Sequence, residues 1–288
     1  LVHEHLLGRP GNGRFRNFYA DRDHQALAEQ DHQTLVMHGH EGDPFNCEFD
    51  TSGNPRREEI PIGDPMTTML FARLGHEASK LDIPDAAKAR FRDIDNVRPA
   101  LSGVRYVQDI IRDFRVGDQV RDMIRMVVSD FEALDFVQRW QDRHDRLSIG
   151  YDEADKLQAA LRAIKLLGTS VPAGLLERLA GFLSDDSYGK LARKHLESDL
   201  GREAFRYCVF GHTHESHHAP VSFDRHLGME KHYLNSGTFR TTFVRTLEGH
   251  DFLRYQQMSF VLIYGPDEFD PGGAVPVYEM WSGLRMRH

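Results

Sequence analysis

Three features of this 288-residue sequence predict an α/β fold interrupted by a long helical insertion. Short apolar runs of strand character end near residue 37 and return after residue 203. Between them, residues 65–198 carry apolar side chains at helical spacing. A histidine-bearing loop follows each of two strand-like runs, "TLVM" and "YCVF".

Residues 34–37, "TLVM", read as a short buried strand running into the polar loop "HGHEGDPFN". The stretch to about Gly63 is rich in Pro, Gly, Asn and Asp and reads as loop with an edge strand. Asp64 is placed as a helix N-cap, with Pro65 at the first helical position. Val104, Val107, Ile111 and Phe114 recur at helical spacing, as do Val120, Ile124, Val127, Phe131 and Leu134. The segments "YDEADKLQAALRAIKLL", "AGLLERLAGFL" and "YGKLARKHLES" continue the pattern, and Pro84, Pro99 and Pro172 punctuate it. From "REAFRYCVF" onward strand character returns, through "KHYLNSGTF", "FLRYQQMSFVLIYG" and "AVPVYEMWSG". The expected division is an α/β domain over 1–64 and 199–288 with a helical cap over 65–198. The cap is expected to be almost free of strand.

The apolar fraction of 40% and charged fraction of 28% suit a soluble globular chain. A net charge of −8 argues against a nucleic-acid binder, because phosphate backbones require a basic stripe. No run approaches the length of about 20 apolar residues that a membrane span needs. Two distant cysteines, Cys47 and Cys208, form no disulfide framework. A reducing, cytoplasmic setting is the expectation.

The segment "FGHTHESHHAP" holds four histidines within seven positions, 212 to 218. Histidines this dense form either a solvated polar loop or a metal site. Ligands at strand ends are held by a rigid sheet and exposed at its rim. Gly211 lets the backbone leave the strand sharply, so His212 and His214 can both turn toward one centre. Neutral imidazole suits Zn, Mn, Fe or Ni. The loop "VMHGH" repeats the design with His38 and His40.

The motifs "VMHGHEGDPFN", "VFGHTH" and "YLNSGTF" resemble the later motifs of the calcineurin-like metallophosphoesterases. The likeness covers roughly residues 30–50 and 203–245. It implies a β-sandwich flanked by helices with two divalent ions, Mn, Fe or Zn, at its rim. Implied too is hydrolysis of a phosphomonoester, phosphodiester or pyrophosphate bond by a metal-bridging hydroxide. Residue by residue, the resemblance makes His38 and His212 ligands of the second ion and His214 a ligand of the first. Asp43 is expected either to orient an imidazole or to cap the following turn, and His40 shares its loop. His217 and His218 match no ligand position and read as solvated; Asn235 reads as shaping a turn. A helical insertion before the last motif is similar to that of the UDP-2,3-diacylglucosamine hydrolase branch. A small phosphorylated substrate such as a nucleotide sugar is therefore implied.

The family's earlier motifs, Asp-x-His, Gly-Asp-x-x-Asp and Gly-Asn-His-Asp, are not found. "GNG" at 11–13 puts Gly13 where a catalytic histidine belongs and leaves Asn12 as a weak candidate ligand. The chain starts at Leu1, so the expectation is an N-terminally truncated domain that binds at most one ion tightly. Asp21, Asp23 and His24 are the residues that would complete the site from within if that expectation fails. Two alternatives stay open: a catalytically degenerate binding scaffold on the same fold, and a metallo-β-lactamase-like hydrolase. Against the latter, Ser216 stands where its motif requires Asp.

Overall fold

The computed structural model describes residues 32–43, 45–50, 52, 54–56, 59–98, 102–145, 153–166, 187–199, 201–248, 251–269 and 271–286. Asn12, Gly13, Asp21, Asp23, His24 and the helix expected over 173–183 lie outside these residues. The described chain is a mixed α/β structure, as the alternation of patterns predicted.

Among the described residues ten strands form three sheets: β1 (Thr34–Val36), β2 (Glu48–Phe49), β3 (Pro55–Arg56), β4 (Val97–Arg98), β5 (Tyr207–Phe210), β6 (Ser216–Asp224), β7 (Met229–Ser236), β8 (Thr241–Arg245), β9 (Phe252–Tyr264) and β10 (Val277–Met286). The first sheet has the order β1-β5-β7-β6, with β1, β5 and β7 parallel and β6 antiparallel at the edge. The second has the order β10-β9-β8-β4, and β2 pairs with β3 alone.

The first sheet is covered on both faces, which explains why "YCVF" is apolar without alternation. Tyr207 and Val209 of β5 and Leu234 of β7 pack on Val261, Ile263 and Tyr278 of the second sheet. Cys208 and Phe210 face the other way, with Leu35 and Tyr233, onto Ala192 and Leu196 of a helix at Ser187–Leu196.

The largest core belongs to the helices between. A continuous helix begins at Gly63–Pro65, passes through a π-helical stretch at Met66–Phe71 and continues as Ala72–Ser79. It packs with Asp85–Arg92, Gly103–Phe114, Gly117–Glu132, Asp135–His144 and Glu153–Lys165 around Leu74, Phe91, Ile124, Phe131, Trp140 and Leu157.

Four local expectations need correction. Asp64 is no N-cap: the helix starts two residues earlier than expected, at Gly63 after Ile62, with no side-chain cap bond. In Gly103–Phe114 the buried stripe is Val104, Tyr106, Val107 and Ile110, whereas Ile111 and Phe114 are only partly buried. The helical block is not strand-free, since β4 pairs in parallel with β8, and Phe243 of β8 joins the helical core. Finally, "SHHAPVSFD" is not loop but strand β6. Its backbone groups pair with β7, an energetic gain invisible in its polar composition. Pro220 is tolerated because β6 is an edge strand whose register shifts between Pro220 and Ser222.

Candidate functional site

The two predicted loops leave the ends of neighbouring parallel strands, β1 and β5, and therefore emerge on the same rim of the sheet. Backbone bonds join them. The His38 carbonyl accepts from the N–H groups of both Gly211 (3.2 Å) and His212 (3.0 Å). Gly39 then turns the first loop through φ 89°, into a single 3-10 turn at His40–Gly42. Sequence separation is thereby erased. His38 Nε2 and His212 Nδ1, 174 positions apart in the chain, stand 3.0 Å from each other. The ring of His40 lies 5.5 Å from that of His38 and 6.5 Å from that of His212.

Asp43 faces both the following turn and an imidazole. Its Oδ1 accepts the Phe45 N–H (2.9 Å), which holds the following turn. Its Oδ2 accepts from Asn46 Nδ2 (2.6 Å) and faces His212 Nε2 at 3.4 Å. Burial works against the Asp43 charge, but the bonds from His212, Asn46 and the Phe45 amide outweigh it and hold its pKa below the usual carboxylate range. A carboxylate on Nε2 favours the tautomer that carries its proton there, which turns the lone pair of Nδ1 toward His38. His38 is exposed at the rim, yet partial desolvation and then the His212 and His40 charges push its pKa down to about 4. Desolvation and His212 also lower His40, against the opposing pull of Asp64 and Asp43. Both imidazoles are neutral at pH 7, the form that binds metals.

His214 follows in a left-handed turn, φ 61°, with its N–H on the Gly211 carbonyl (3.2 Å). The rings of His38, His40 and His212 meet at the rim. Asn235 shapes the Gly237 turn as expected, its Oδ1 accepting the Gly237 N–H at 3.1 Å.

The donor set fits a metal ion in part. Two nitrogens bound to one ion at about 2.0–2.1 Å lie about 2.9–3.4 Å apart for angles between a right angle and the tetrahedral angle. The His38–His212 gap falls in that span, and buried His40 Nδ1 has no hydrogen-bond partner. A direct N–H···N bond has the same length, so one proton or one ion fits the gap. Among the described residues no three His, Cys, Asp or Glu side chains are arranged to hold an ion. The arrangement is a pair of facing imidazoles with one carboxylate behind it.

Sequence reasoning missed the neighbours supplied by the helices. Tyr188 stands 6.1 Å from the His212 ring, and Asp64 places its charge near His40. His144 and Trp140 reach back to Glu48, just beyond the first loop. No signal at the level of spacing could have brought these together. No helix among the described residues is long and apolar enough to cross a membrane. No family model matches this chain, and no curated protein or solved structure does so either.

Proposed function

We propose that the two histidine loops belong to a metal-dependent phosphoesterase of the calcineurin-like kind, acting on a small phosphorylated substrate such as a nucleotide sugar. One observation carries this reading. Two loops matched to the later motifs of that family bring His38 and His212 within 3.0 Å, with Asp43 behind His212. His38 and His212 would hold one divalent ion, and His214 is the candidate for a second. When bound, such an ion supplies charge neutralisation at phosphoryl oxygens and lowers the pKa of water.

The chain's own contribution is positioning. The His38 carbonyl, accepting from Gly211 and His212, fixes the two loops against each other. Asp43 sets the His212 tautomer and ring angle. The low basicity of His38 keeps its nitrogen free of a competing proton at neutral pH. The rim position of His38 leaves the pair open to a phosphorylated ligand, and the nearby Tyr188 helix forms one wall.

The test is metal stoichiometry by equilibrium dialysis with Mn2+ or Zn2+, together with hydrolysis of a chromogenic phosphodiester, for the chain and for His38→Ala and His212→Ala. At this pair at most one tightly held ion is expected, with at least a tenfold loss of its affinity in either variant. Unchanged affinity in both variants would overturn the reading. The shortage of a third donor among the described residues favours a second reading, a binding scaffold on the same fold. Ion binding without turnover is its signature.

A further inference from the structure

A second group of facing imidazoles lies away from the rim, between the two sheets. His218 of β6 pairs across the ladder with Leu234, and His232 of β7 pairs with both Pro220 and Tyr207. Since Leu234 and Tyr207 both face the second sheet, so do His218 and His232. His217, its neighbour in the strand, goes to the opposite face, where its ring meets Tyr233 at 5.6 Å. His217 and His218, both exposed as expected, are thus separated by the pleat.

On the inter-sheet side, His218 Nε2 stands 3.2 Å from His232 Nδ1 and 2.9 Å from the phenol oxygen of Tyr278 on β10. The other nitrogen of His232 faces Glu230 Oε2 at 3.4 Å. Tyr207 closes the back: its ring lies 5.9 Å from His232, and its own hydroxyl donates to the Pro276 carbonyl at 2.6 Å. This repeats the scheme of the first pair. Two imidazole nitrogens face each other at a distance one ion can bridge, and a carboxylate on the far nitrogen favours the lone pair facing inward. Here a phenol oxygen adds a third donor.

We infer that His218, His232 and Tyr278 form a second cation site, for a borderline transition-metal ion of the Cu2+ or Zn2+ class, which ties the edge of the first sheet to β10 of the second. Two imidazole nitrogens, donors of intermediate softness, select such ions over Mg2+ or Ca2+, which prefer all-oxygen sites. Binding displaces the phenol proton of Tyr278 to the solvent, while His218 and His232 bind as neutral imidazoles, each keeping its one N–H proton on the nitrogen turned away from the ion. No electron transfer is involved. Cu2+ stands highest in the affinity order of divalent ions and is the sharper probe.

The experiment uses the full chain without a polyhistidine tag, freed of metal by chelation and carrying His38→Ala and His212→Ala. The first pair is thereby removed, so the outcome is separable from that of the phosphoesterase reading. Cu2+ and Zn2+ are titrated by calorimetry. One ion per chain is expected, with about a hundredfold weaker binding in His218→Ala/His232→Ala and about tenfold in Glu230→Gln. The Cu2+ complex should show a visible phenolate-to-copper charge-transfer band that Tyr278→Phe abolishes. His218 is exposed, so His218→Ala alone decides the matter if the double variant does not fold. Absence of binding, affinity indifferent to His218→Ala, or a spectrum indifferent to Tyr278→Phe would each overturn the site.

Discussion

Replacing Gly39 with alanine strikes the fold and the histidine pair together. Gly39 sits between His38 and His40 at φ 89°, ψ 4°, a left-handed conformation. Placing an L-residue there costs about 1–2 kcal/mol. A Cβ would also stand 2.7 Å from Phe210 Cγ and 2.8 Å from its Cβ, far inside contact distance. Phe210 is fully buried against Leu35, Leu196 and Tyr233, so it cannot swing away, and overpacking of this kind costs about 1–3 kcal/mol. The sum is a destabilisation of about 2–5 kcal/mol, measured by urea denaturation at 25 °C. The variant should also hold Zn2+ at least tenfold more weakly, because His38 and His40 flank the displaced residue. A Gly39→Ala protein within about 0.5 kcal/mol of the parent would refute the argument, since neither strain nor overpacking could then be present.

Asp43→Asn should weaken metal binding by about 10–100-fold with little loss of fold, because it removes the charge that orients His212; calorimetry with Zn2+ reads this. Lys231 is buried, and its Nζ donates to the carbonyls of Gly201 (3.2 Å), Arg202 (2.5 Å) and Phe205 (2.5 Å). Lys231→Met strands those acceptors and should cost about 3 kcal/mol in urea denaturation. His144 and Glu48, 3.2 Å apart, set a pH window. Burial opposes the His144 charge, but the bonds to Glu48 and the Trp140 carbonyl prevail and raise its pKa, so its contribution is full below its unfolded value and fades as pH rises through the folded one. Burial likewise opposes the Glu48 charge, and the bonds from His144 and Trp140 prevail to lower its pKa, so its contribution is lost as pH falls through that lowered value. The pair therefore stabilises most between about pH 4.5 and 6.5, and Glu48→Gln should lower stability most there and flatten the flanks on either side. Phosphodiester turnover is expected to be slight for this chain, because no third, acidic ligand completes the histidine pair among the described residues. Strong turnover by the chain would point to Asp21, Asp23 or His24 as ligands.

What the sequence determined by itself was local. Apolar runs without alternation marked β1 and β5, because a parallel strand covered on both faces has no polar side. Apolar residues at helical spacing placed the helices, since one face of each must enter a core. Glycines and histidines after the two strands marked the loops at the rim. Tertiary structure decided everything that depends on who stands next to whom. Strand β6 exists because β7 supplies its hydrogen bonds, and no residue within "SHHAPVSFD" announces that partner. His217 and His218 are adjacent in sequence, yet the pleat sends one to the helix side and the other to the inter-sheet side. His38 meets His212 because β1 and β5 are parallel neighbours, and parallel neighbours deliver the loops after them to the same edge. Side-chain periodicity is a property of one strand or helix, whereas strand order is a property of the whole folded chain.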